Sequence, residues 1–265
     1  MRLILTRIDY FLKKENSTPL ETSIKKFRIP SKDFQKFKEN KEKIIKQYNL
    51  LLPKIGKLPS WFYSEFNLPC FICQLSEFPF KSINQVKDFL FKKYPSLAAF
   101  RHKIRITKGE PSFIKYNKIE DSFLITIDKY SNPRHQIMIL IHEMSHIINY
   151  LKDFQNDISY LERERYTQEK RAVETEFSIL KDISEDLFRA SLGKVLIAFW
   201  TTTFEMELYK NPNQDIEKLY ANTFNQCFIG AKQKRNPFFV LNENIITQIF
   251  SNLPYTIAYS NILNQ

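Results

Sequence analysis

Four histidines occur in the 265-residue chain, and two of them stand four residues apart in His142-Glu143-Met144-Ser145-His146. On a helix, positions i and i+4 share a face, so both imidazoles can bind one metal ion while Glu143 reaches a water held there. Zinc suits such donors. It takes nitrogen and oxygen ligands tetrahedrally, and three protein ligands leave a fourth position where water is acidified towards a pKa of about 7. The chemistry this predicts is metal-assisted hydrolysis of a peptide carbonyl, with Glu143 as the general base.

The elements that must position this triplet are legible around it. Ser122 to Ile127 alternates polar and apolar residues and is rich in β-formers, which predicts an edge strand. Asp128 to Pro133 then supplies Asp, Ser, Asn and Pro, the composition of a turn leading into a helix start. From Gln136 to Ile148 the chain is apolar on nearly every side, with His142, Glu143 and His146 as its main polar interruptions. Two imidazoles and a carboxylate in a buried helix are costly unless they are paired or bind metal.

A third ligand is expected from a downstream helix, predicted over Tyr166 to Phe188, which offers Glu169, Glu174 and Glu176. At about 100° per residue, Tyr166, Val173, Phe177, Leu180 and Leu187 define an apolar stripe, and Glu169 and Glu176 fall inside it. Glu174 lies on the side of Lys170 and Lys181, where a carboxylate ordinarily makes solvated pairs. Glu169 is therefore the expected metal ligand and Glu176 the residue that holds a ligand in place, with Glu174 in reserve.

These residues resemble the oligoendopeptidase F and thimet oligopeptidase family of zinc peptidases. In that family a strand runs into a helix bearing H-E-x-G-H, and a second helix carries two acids seven residues apart, the first being the third zinc ligand. Glu169-Lys-Arg-Ala-Val-Glu-Thr-Glu176 has that interval. Phe199 to Leu208 resembles a later family helix, and Asp215 to Tyr220 the short helix after it. Leu253-Pro-Tyr-Thr-Ile-Ala-Tyr259 stands where the family has a segment that stabilises the oxyanion, so the resemblance implies such a role for Tyr255 or Tyr259. Ser145, Ala172 and Tyr255 stand where the family has Gly, Ser and His, and the chain is far shorter than a usual member. The resemblance runs from about Phe113 to the end and implies a zincin-like helical core acting on peptides or oligopeptides. A second resemblance is to small regulatory metallopeptidases of the ImmA/IrrE type, which cut one protein partner. In that alignment Glu174 is preferred as the ligand.

Composition bounds the rest. Hydrophobic content of 43%, aromatic content of 15% and only four glycines predict a folded, mainly α chain of α+β class, with a small antiparallel β-hairpin or sheet beside the histidine helix. The hairpin is expected from Phe113–Tyr116 and Ser122–Ile127. Residues 1–108 read as an N-terminal helical region, broken at Pro53, Pro59 and Pro69, and 109–265 as the catalytic region, in two parts or one continuous domain. No apolar run is long enough for a membrane span, and the charged first nine residues do not make a secretory signal. Cys70, Cys73 and Cys227 read as buried thiols, which fits a reducing cytoplasm. The net charge of +11 concentrates between Lys25 and Lys46. Such charge suits nucleic acid or an acidic partner, and a catalytically inactive basic binding protein is one alternative reading. A solvated, lysine-rich helix face is preferred, because no nucleic-acid motif accompanies it. A peptide or protein substrate and a zinc ion are the expected partners.

Overall fold

A capping box opens the first helix: the Thr18 hydroxyl accepts from the Glu21 amide, and the Glu21 carboxylate accepts from the Thr18 amide at 2.8 Å. The computed structural model describes residues 17–51, 79–109, 112–154, 164–229, 233–237 and 250–262. In chain order its elements begin with helices α1 (Pro19–Phe27), α2 (Ser31–Leu51), α3 (Ile83–Lys93) and α4 (Pro95–Ala99). Strands β1 (Ile104–Gly109), β2 (Phe113–Asn117) and β3 (Ser122–Asp128) follow. Helices α5 (Pro133–Phe154), α6 (Arg165–Ile183), α7 (Glu185–Lys210), α8 (Ile216–Cys227) and α9 (Leu253–Ile262) complete it. The protein is mainly helical with one small sheet, as the composition predicts. Among the described residues no helix is long and apolar enough to cross a membrane.

The chain divides into two compact units, one formed by Met1–Pro69 with Leu192–Gln265 and the other by Cys70–Ser191. The expected division between 108 and 109 falls inside the second unit, within β1. Pro53, Pro59, Pro69, Cys70 and Cys73 lie outside the described residues, as do Trp61 and Phe78. Cys227 is a buried free thiol, as expected.

In the Cys70–Ser191 unit the strands form a mixed sheet of order β1-β3-β2. β2 and β3 make the predicted antiparallel hairpin, with Phe113 opposite Thr126 and Asn117 opposite Ser122. Asp121 closes its turn at φ 46°, a left-handed conformation that a short polar side chain tolerates. The Asp121 carboxylate accepts from the hydroxyls of Tyr116 at 2.8 Å and Tyr150 at 3.1 Å and pairs with Lys103. The hairpin is thereby tied to α5 and to the approach to β1. Two corrections follow. β3 is the central strand rather than an edge, and β1, which pairs with it in parallel from Ile104–Phe123 to Gly109–Asp128, comes from a stretch assigned to helical region. The alternation in β3 reports its two faces, with Phe123, Ile125 and Ile127 buried. Which strands flank it depends on residues distant in the chain.

The connection from β3 into α5 is fixed by polar side chains. The Asp128 carboxylate accepts from the Tyr130 amide at 2.9 Å and the Ser131 hydroxyl at 2.6 Å. Asn132 accepts from the Arg134 amide at 2.8 Å, with Pro133 at the first helical position, where its missing N–H is no loss. Buried Gln136 donates back to the carbonyls of Asp128 at 2.9 Å and Ser131 at 3.0 Å, fixing the helix start on the strand end. α5 then buries Ile137, Met138, Leu140, Ile141, Met144, Ile147 and Ile148. The helix predicted over 166–188 is interrupted: α6 stops at Ile183, and extended Ser184 (φ −170°) separates it from α7. Of the predicted stripe, Tyr166, Val173, Phe177 and Leu180 are buried on α6, and Leu187 is buried on α7.

The other unit is built on aromatic packing. Trp200 of α7 lies 4.5 Å from the Tyr220 ring and 4.9 Å from that of Phe224 on α8, and donates its indole N–H to the Tyr220 carbonyl at 3.2 Å. Phe37 and Tyr48 of α2 meet the Phe199 ring at 5.5 and 6.5 Å. Side chains of this size dominate core energetics through the apolar area they remove from water.

Candidate metal centre

α5 carries His142 and His146 one turn apart, with their rings 5.0 Å apart and nearly perpendicular, at 89°. Both present Nε2 to a single atom of α6, the Oε2 of Glu169, at 3.4 Å each. One ligand atom from each of His142, His146 and Glu169 lies within 4.8 Å of the others. Glu169 Oε2 is buried and has no hydrogen-bond partner. That combination decides the reading. A separation of 3.4 Å is long for an N–H···O bond, whose range is about 2.7–3.2 Å. Around a tetrahedral ion with bonds of about 2.0–2.1 Å, however, neighbouring ligand atoms sit roughly 3.3–3.4 Å apart. Two of the three ligand separations therefore match a small divalent cation, and the three side chains could hold one.

The surrounding charges are arranged to match. His142 donates its Nδ1–H to the carboxylate of Glu176 at 2.9 Å, which leaves Nε2 directed at the convergence point. Glu176 is only 1% exposed. This is the carboxylate–imidazole partnership that orients a metal-ligating histidine and raises its basicity. Burial opposes the imidazolium of His142, but Glu169 and Glu176 outweigh it and hold its pKa well above the usual value. Burial would raise the Glu169 carboxyl too, and there the two histidines prevail and push it far below the carboxylate range. Glu143 is buried, and that burial raises its carboxyl despite the attraction of His142 and His146. A carboxylate raised in this way is a stronger proton acceptor.

The structure thus brings His142, His146, Glu169 and Glu176 together, with Glu143 on the same helix. Glu174 is exposed and is not part of the convergent set. Tyr255 and Tyr259 lie on α9, in the other unit, where Tyr259 is buried and Tyr255 half-buried. Ser145 is fully buried, its hydroxyl donating to the Ile141 carbonyl at 2.7 Å, and Ala172 is a buried small residue on α6. Sequence reasoning passed over two residues close to the centre. Arg165, one turn before Glu169, brings Nε to 4.0 Å from Glu169 Oε1. Asn149, three residues after His146, is buried between α5 and α6. Its signal was present, as a polar residue on an otherwise apolar helix.

Comparison with family models, curated proteins and solved structures found no significant match to this chain.

Proposed function

We propose that this protein is a zinc-dependent metallopeptidase that hydrolyses peptide bonds in peptides or oligopeptides. The observation that carries the reading is the meeting of two imidazole Nε2 atoms on one buried, otherwise unbonded carboxylate oxygen. His142, His146 and Glu169 hold the ion. When bound, zinc supplies Lewis acidity, polarising a carbonyl and lowering the pKa of water at that point. Glu143 accepts the proton from the attacking water and returns it to the departing amine, so one carboxylate serves both halves of the reaction. Glu176 keeps the His142 ring in one tautomer throughout, with its Nδ1 committed to the carboxylate. Three cysteines in 265 residues, read as unpaired thiols, are in keeping with a reducing cytoplasm as the compartment of this activity.

The regulatory-protease alternative draws its ligand from Glu174, and the exposure of that residue speaks against it. Glu143→Gln keeps the volume of the side chain and removes its basicity. Zinc content by mass spectrometry should stay at wild-type level, while hydrolysis of a diverse peptide library falls by at least about 100-fold. Full activity in Glu143→Gln would falsify the role of Glu143, and a zinc-loaded wild type that cleaves nothing would remove the peptidase reading itself.

A further inference from the structure

Below the convergent ligands, α5 and α6 are joined by a second, purely polar contact. The carboxamide nitrogen of Asn149 lies 2.9 Å from the Ser145 carbonyl on its own helix. It also lies 3.0 Å from the Arg171 carbonyl and 3.1 Å from the Thr175 hydroxyl, both on α6. The Thr175 hydroxyl in turn lies 3.3 Å from the Asn149 amide oxygen. One turn further along α5, Asp153 is buried and pairs with the Arg171 guanidinium. The ligands His142 and His146 and the amide of Asn149 follow one another at i, i+4 and i+7, so all three point from α5 towards α6. On α6 the carbonyl that receives the amide belongs to a residue only two positions after Glu169.

We infer that Asn149 is a positioning residue for the metal centre: it fixes the register between α5 and α6 that brings Glu169 onto the two histidines. This rests on the proposed zinc site. Apolar contacts between two helices are tolerant of small slides, since Ile, Met and Leu repack at modest cost. A coordination sphere is not tolerant, because its distances must hold within about 0.2 Å. A buried amide that bonds a specific backbone carbonyl supplies the discrimination that the apolar contacts lack. A slide of α6 by one residue, about 1.5 Å, would break the bonds of the buried Asn149 side chain to Arg171 and Thr175, leaving it only the Ser145 carbonyl of its own helix. The same logic makes a single buried asparagine define register in paired helices.

Asn149→Ala and Thr175→Val are compared with wild type in the full chain, reading zinc affinity by chelator competition and metal-free melting temperature side by side. Ser178→Ala, on the exposed face of α6, serves as control. If Asn149 positions Glu169, zinc affinity falls about 10- to 100-fold in Asn149→Ala and by a smaller factor in Thr175→Val, as for residues that hold ligands elsewhere. A merely structural asparagine lowers the melting temperature and leaves the affinity unchanged, which overturns the inference. Should Asn149→Ala fail to fold, the Thr175→Val affinity decides alone: weaker binding supports the inference and wild-type binding overturns it. A wild type that takes up no zinc defeats the metal site as well, an outcome separate from equal affinity across the variants.

Discussion

At the scale of single residues, His142 sets the proton balance of the site. Its ring faces Glu169 and Glu176, and these keep its pKa above that of a free imidazole in the metal-free protein. A metal ion needs the lone pair that the proton occupies, so ion and proton compete. The sign follows directly. Below the raised pKa, binding must expel a proton, and affinity climbs with pH; above it the dependence levels off. Calorimetric zinc titration at neutral pH in two buffers of different ionisation enthalpy should show net proton release on binding. Equal heats in the two buffers would mean that His142 is already neutral. Replacing His146 by Ala should remove binding altogether, because one imidazole and one carboxylate do not complete the set.

Among the elements, the hairpin turn offers a second titration, with the pKa displaced downwards rather than upwards. Burial alone would raise the Asp121 carboxyl, but hydrogen bonds from Lys103, Tyr116 and Tyr150 hold it below the usual aspartate value. A depressed carboxylate adds stability above its unfolded pKa, and that contribution disappears as pH falls through the folded value. Asp121→Asn keeps a side chain that accepts the left-handed turn while losing the charge. Urea unfolding should find the variant less stable at pH 7, by under about 1 kcal/mol given its exposure. The two proteins should converge as pH drops towards 3. A constant difference across that range would point to lost packing instead.

The elements also show why some features could be seen in the sequence and others could not. The histidine helix and Glu169 were legible because each depends on local spacing: i to i+4 on one helix, and a carboxylate in phase with Tyr166, Val173 and Leu180 on the next. β1 was not. Ile104-Arg-Ile-Thr-Lys-Gly alternates over only six residues in a lysine-rich stretch, and its partner lies 19 positions away in β3. The break at Ser184 escaped for a different reason. Leu187 follows Leu180 by seven residues and keeps the apolar stripe in phase, while neither Gly nor Pro marks the interruption. Asn149 falls at i+7 from His142, on the same face as the two histidines, but its partners Arg171 and Thr175 lie 22 and 26 positions away on α6 and cannot be read from local spacing.

For the whole molecule, zinc should act as a stabilising ligand. An ion at 100 times its dissociation constant adds about 2.7 kcal/mol, a rise of roughly 5–10 °C in melting temperature for a chain of this size. Thermal melts with zinc and with excess chelator should differ by that amount in wild type and by nothing in Glu169→Ala. Equal shifts in the two proteins would place the bound ion elsewhere.

His142 is held at Nδ1 by the Glu176 carboxylate at 2.9 Å, which leaves its Nε2 turned towards Glu169 Oε2. If the proposed ion binds here, it meets a ring already facing the right way. Loading such a centre demands no rearrangement of the chain, and the speed of capture should be set by how quickly the incoming ion sheds its water rather than by any motion of the protein.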